Sequence, residues 1–252
     1  MTDFRKLALS TGVTLNVALA GDPGNPPVIL LHGFPESHRT WREIAPRLQD
    51  NFFLVMPDQR GFAGSDRPQE VEAYATDTLI DDIFALADAL GLERFALVGH
   101  DWGGAISWAA ALRTDPRLTR LAIVNAPHPV IFQKSLIEDR EQRAASQYII
   151  DWSQPGAMTA MLNWYRASKL MVPPPGVTLP LPQWLLGAFP KVQIPTLVIW
   201  GMKDKALLPT QLDGLDALVE DLTVVRLPNV GHFAPWEAGD AVSRALEPFL
   251  EA

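Results

Sequence analysis

Apolar residues along this chain fall into two patterns. Short, mostly apolar runs occupy positions 15–20, 28–31, 52–56, 95–98, 121–124, 197–200 and 223–227, each of a length suited to a buried strand. Between and after them, positions 41–48, 78–90, 104–112 and 241–250 carry apolar residues at helical spacing. Strands that are apolar throughout and alternate with helices predict an α/β protein. Its central sheet is expected to be mostly parallel, covered by helices on both faces, with functional groups at the carboxyl ends of the strands. One stretch breaks the alternation. Positions 127–190 are helical and rich in Trp, Gln and Arg at first, then become Pro173-Pro174-Pro175-Gly176 and Leu179-Pro180-Leu181-Pro182. No buried strand fits there. The pattern divides the chain into a first core part, 1–126, a short helical lid, 127–190, inserted before the last two strands, and a second core part, 191–252.

Composition narrows the function. A chain of 252 residues suits one sizeable domain with an inserted piece. The formal net charge of -8, without a basic cluster, argues against nucleic acid and against an anionic membrane surface. With no cysteine there are no disulfides, no thiolate chemistry and no Cys-based zinc site. The first residues lack the apolar core of a signal peptide, and no run approaches membrane-spanning length, so a soluble cytoplasmic protein is expected. Oligomeric state is not set by these features.

The most informative stretch is Phe95-Ala-Leu-Val-Gly-His-Asp-Trp-Gly-Gly104. An apolar strand ends there in a turn, with Gly99 and Gly103 two residues either side of Asp101, where a side chain would collide with neighbouring backbone if Asp101 sat at strained dihedrals. Such a turn resembles the nucleophile elbow of the α/β-hydrolase fold, with a carboxylate in the serine position. An Asp is ionised at neutral pH and needs no base to activate it. Against a carbonyl it would form an unproductive anhydride. Against an sp³ carbon it forms an alkyl ester that water can hydrolyse. The expected electrophile is therefore an epoxide or a carbon–halogen bond.

Two later loops supply partners. Asp204 follows the run at 197–200, and His232, in Asn229-Val230-Gly231-His232-Phe233, follows the last strand. The chain order Asp101, Asp204, His232 is nucleophile, acid, histidine, as in α/β-hydrolases. Of the five histidines, His32 follows an early strand, His38 begins a helix, His100 sits in the elbow pointing away from Asp101, and His128 opens the insertion. His232 alone is late, loop-borne and preceded by an acid. In His32-Gly33-Phe34-Pro35 the turn aims the amide of Phe34 at the site. With the amide of Trp102 it would form an oxyanion hole.

Taken together, His32-Gly33-Phe34-Pro35-Glu36-Ser37, Asp58-Gln59-Arg60-Gly61-Phe62, Gly99-His100-Asp101-Trp102-Gly103-Gly104, Asn163-Trp164-Tyr165-Arg166, Trp200-Gly201 with Asp204, and Gly231-His232-Phe233 resemble the epoxide hydrolases of the α/β-hydrolase fold. The resemblance implies an enzyme that opens a small-molecule epoxide to a vicinal diol with water, using an Asp-His-Asp triad and a covalent ester, without metal or organic cofactor. It implies two lid tyrosines as donors to the epoxide oxygen, matched by Tyr165 and by Tyr148. Substrate is expected against His32, Phe34, Pro35, Trp102 and Trp164. The lid is shorter than the family pattern, which predicts a wider, wetter pocket. A haloalkane or haloacid dehalogenase would share the triad. However, Phe34 stands where haloalkane dehalogenases usually carry Asn, and Trp102 and Ala105 do not match the arginines of fluoroacetate dehalogenases. A non-catalytic ligand-binding protein on this fold is the third reading.

Overall fold

The computed structural model describes residues 3–145, 159–168, 170–173, 177 and 179–252. Eight strands form one sheet: β1 (Asp3–Ala8), β2 (Thr14–Ala20), β3 (Pro27–Leu31), β4 (Phe53–Pro57), β5 (Phe95–His100), β6 (Leu118–Val124), β7 (Thr196–Gly201) and β8 (Leu222–Leu227). Their spatial order is β1-β2-β4-β3-β5-β6-β7-β8. The β1–β2 and β2–β4 pairs are antiparallel and every later pair is parallel. All six residues of β5 are buried, as its central position requires. The helices are α1 (Ala45–Leu48), α2 (Thr76–Leu90), α3 (Trp102–Ala111), α4 (Pro129–Glu138), α5 (Arg140–Ala145), α6 (Thr159–Ala167), α7 (Ala234–Glu237) and α8 (Gly239–Glu251).

Strand side chains alternate between two cores. Ile29, Leu31, Leu97, Ile123 and Val198 pack with Ile80, Ile83 and Phe84 of α2 and with Ile106 and Trp108 of α3. Val28, Leu30, Val98, Val124 and Ile199 pack with Leu48 of α1 and with Val242 and Leu246 of α8 on the other face. This is the predicted two-sided sheet. Two details differ from the sequence reading. β1 was not expected: it is an edge strand, Asp-Phe-Arg-Lys-Leu-Ala, almost wholly exposed, and its pairing from Asp3 opposite Leu19 to Ala8 opposite Thr14 defines it instead of apolar content. The helix expected at 41–48 is a 3-10 turn, His38–Trp41, followed by α1 with Pro46 in its first turn, where a missing N–H is harmless.

Between β6 and β7 the chain forms α4, α5 and α6, with no named strand among the described residues. Two polar links tie this segment together and to the core. The Gln133 side chain on α4 donates to the Met171 carbonyl and accepts from the Met171 amide, both at 3.0 Å. The Trp164 indole on α6 donates to the Arg60 carbonyl at 2.9 Å, in the loop after β4. Among the described residues no helix is long and apolar enough to cross a membrane.

Candidate active site

Five polar groups gather beyond the carboxyl ends of β3, β5, β6, β7 and β8. Asp101 links β5 to α3 at φ 51° and ψ -120°. That conformation costs an L-residue on the order of 1–3 kcal/mol and persists only where its surroundings enforce it. Here the enforcement is close packing: a Cβ on Gly99 would collide with the Gly103 carbonyl, and one on Gly103 with the Leu31 carbonyl. The turn thus lifts the carboxylate clear of the sheet, as its flanking glycines predict.

Each oxygen of Asp101 has its own partner. Oδ1 accepts from the Phe34 amide at 2.7 Å, and Oδ2 lies 3.5 Å from His232 Nε2. The other ring nitrogen, Nδ1, is 2.8 Å from Asp204 Oδ2. Asp204 is buried and held from three further directions: the amides of Ala206 and Leu207 donate to Oδ1 at 2.9 Å, and Asn125 Nδ2 donates to Oδ2 at 2.8 Å. Trp102, the first residue of α3, opens the helix immediately after the nucleophile, so its amide is among those with no partner inside the helix.

The electrostatics follow from this arrangement. Burial by itself would raise the Asp101 carboxyl, but the His232 ring, aided by His100 and the Phe34 amide, holds it below the usual carboxylate value. Burial would likewise lower His232. The two flanking carboxylates, Asp101 and Asp204, overcome that and push it up to about 10. The His232 ring is thus held toward its protonated form in the resting site.

The remaining histidines are occupied elsewhere. His100 does point away from Asp101: its Nδ1 lies 2.8 Å from Glu36 Oε2 and its Nε2 2.9 Å from the His232 carbonyl. His38 pairs with Asp58 at 2.7 Å, and His128 is buried, its pKa lowered to about 4 by that burial. Two of the residues expected against substrate occupy packing positions. His32 is fully buried, with Nδ1 against the Gly33 carbonyl and Nε2 accepting from the Gln59 amide, and burial lowers its pKa. Trp164 is 1% exposed, its indole N–H engaged by Arg60 and its ring packed on Phe62. Pro35, joined to Phe34 by a cis peptide bond, is exposed and outside the cleft wall.

Asp101, Trp102 and Tyr165 line one cleft of about 290 Å3. The Tyr165 ring packs edge-on against Trp102, centroids 5.0 Å apart, and against Phe34 at 5.5 Å. Tyr148 lies outside the described residues. Tyr74, the third tyrosine, donates its hydroxyl to the Pro68 carbonyl at 2.8 Å, far from any role at Asp101, and burial pushes its pKa up to about 12. The walls of the cleft are predominantly apolar. Sequence reasoning missed Asn125 and Glu36. Asn125 was findable: it directly follows the apolar run at 121–124, at the same sheet edge as the triad, and its φ of 45° suits Asn. Among the described residues no group of three or more His, Asp or Glu side chains is placed to hold a metal ion.

This chain belongs to the α/β-hydrolase fold family, whose model matches residues 26–143 and 130–239. It is a hydrolase. A solved epoxide hydrolase from metagenomes of hot environments is 42% identical, superposes with a TM-score of 0.93 and is covered over 99% of both chains. Epoxide hydrolase 3 of Xenopus tropicalis is 28% identical over 96% of this chain and 76% of its own length. Haloalkane dehalogenase 2 of Mycobacterium bovis is 30% identical over 88% of this chain and 86% of its own length.

Proposed function

We propose that the protein is an epoxide hydrolase that works through an alkyl ester on Asp101. The observation that carries this is the division of labour within one carboxylate on the cleft wall: Oδ1 is held by the Phe34 amide while Oδ2 lies beside His232 Nε2. Oδ2 attacks an epoxide carbon and the C–O bond opens. Tyr165, with Tyr148 as the second expected donor, hydrogen-bonds the developing alkoxide and passes it a proton. Alkylation removes the charge of Asp101, one of the two charges that raise His232. The imidazolium then loses the proton that balances the one gained by the alkoxide.

The neutral imidazole is the base for the second half. It takes a proton from water, whose oxygen attacks the ester carbon, and the oxyanion forms on Oδ1 between the amides of Phe34 and Trp102. Collapse expels the diol oxygen, which takes up a proton, and restores carboxylate and imidazolium. Asp204, braced by Asn125, orients the ring. We assign the insertion at 127–190 the role of a lid, because α4 and α6 place Phe132 and Tyr165 over the cleft.

Dehalogenation is the second reading, favoured by the 30% identical relative and by the Trp102 side chain on the cleft wall. The two are separated by incubating the protein with an aryl epoxide, an aliphatic epoxide and a bromoalkane, assaying diol and halide in parallel with Asp101→Ala as the blank. Diol absent from the blank is the expected result; halide without diol would make the protein a dehalogenase.

A further inference from the structure

The cleft does not stop at the nucleophile. From Asp101 it runs along one side of α3, past Trp102, Ala105 and Ala109 to Leu112, with Thr76 at the start of α2 also on its wall. These α3 positions recur at three- and four-residue spacing and share one face. At 1.5 Å per residue, Ala109 lies about 10 Å and Leu112 about 15 Å beyond Trp102 along the helix axis. Phe132 of α4 and Leu170 also line it.

The chemistry of this wall is unusually plain. Asp101 is its single charged residue among those described. Besides Tyr165 and Thr76, the polar side chains Gln133 and Ser168 on this wall are turned to main chain: Gln133 is bonded to both the amide and the carbonyl of Met171, and Ser168 Oγ donates to the Tyr165 carbonyl at 2.8 Å. A substituent lying there meets mostly hydrocarbon, and a carboxylate end would find no counter-charge among the described residues of the wall. Burying an unpaired carboxylate in such surroundings is strongly unfavourable.

We propose that this arm of the cleft is a chain-measuring subsite: it takes the unbranched, uncharged substituent of a terminal epoxide, with the oxirane at Asp101 and the chain laid along α3. Ala109 leaves the space for the chain and Leu112 ends it. The proposal rests on the epoxide hydrolase reading. Because apolar burial is worth a few-fold per methylene, selectivity by length is its direct consequence.

The test is a series of 1,2-epoxybutane, 1,2-epoxyhexane, 1,2-epoxydecane and 1,2-epoxydodecane, with 9,10-epoxydecanoate as the charged equivalent of the decane, on wild type, Ala109→Leu and Leu112→Ala. In wild type, kcat/KM should rise at least about tenfold from butane to decane, and the carboxylate should be at least about tenfold poorer than the decane. In Ala109→Leu the decane-to-butane ratio should fall at least about tenfold, through KM of the longer substrate. In Leu112→Ala the dodecane should gain on the decane, which keeps the test intact if Ala109→Leu does not fold. A flat length series in wild type, unchanged ratios in the variants, or equal use of the charged substrate overturns the subsite alone. Absence of diol from every member overturns the hydrolase reading, and the subsite with it.

Discussion

His232 is the residue on which both halves of the proposed reaction turn, and its setting makes its protonation a property of its neighbours. In an unfolded chain it would titrate near 6.5; between Asp101 and Asp204 it titrates at about 10. The folded state therefore binds a proton more tightly than the unfolded one, and between these values stability falls as pH rises. The contribution is complete below about 6.5 and lost as pH passes about 10. We expect the melting temperature of wild type to drop toward that of His232→Gln between pH 7 and 10.5, measured by thermal denaturation at fixed ionic strength. A gap that stays constant would mean that His232 is neutral in the resting enzyme. Tyr165→Phe acts at the same scale: loss of one proton donor should slow ester formation by about 10²–10⁴-fold, read by single-turnover kinetics, while hydrolysis of a preformed ester changes little.

The same scale shows where residue-by-residue reading of the sequence succeeds and fails. Asp101, Asp204 and His232 were legible because each follows a strand in an order that the fold imposes, and Phe34 because the turn before it leaves its amide one orientation. His32 and Trp164 sit in equally telling motifs, yet both are buried with their ring nitrogens bonded to nearby main chain. A motif identifies a neighbourhood; which side of the backbone a ring occupies depends on packing from distant segments. The Glu36–His100 pair was missed for that reason, since its members lie 64 residues apart in sequence.

At the scale of elements, the sheet was readable because buried parallel strands announce themselves by apolar content. β1 was not, because an exposed edge strand is specified by its neighbour. α2 shows a stop signal working as physics requires: it ends at Gly91, whose φ of 67° is left-handed and whose amide bonds back to the Ala87 and Asp88 carbonyls. A Cβ there meets nothing within 4 Å, so strain alone opposes a side chain. Gly91→Ala should cost about 1–2 kcal/mol and lower the melting temperature by about 2–8 °C, with catalysis unaltered. An unchanged melting temperature would show that the helix end relaxes. α3 carries two duties. In the proposed mechanism its first residue supplies an oxyanion amide, and its half-buried side lines the cleft, so substitutions along that side are expected to alter substrate range before they alter stability.

At the scale of the whole molecule, the sheet and the insertion divide the site between them. Four loops, after β3, β5, β7 and β8, converge from positions spread over 200 residues, and the sheet between the two cores fixes their separations. The insertion at 127–190 contributes Tyr165, the proposed donor, and much of the apolar wall but none of the triad, so variation there away from Tyr165 is expected to retune recognition and leave the chemistry in place. The central claim is that Asp101 becomes covalently attached to substrate. The most direct measurement is intact-protein and peptide mass spectrometry of His232→Gln after incubation with an aryl epoxide. A persistent adduct equal to the mass of the whole epoxide is expected on the peptide that contains Asp101, absent in the His232→Gln, Asp101→Ala double variant. Diol produced at the wild-type rate by His232→Gln, with no adduct on Asp101, would contradict it.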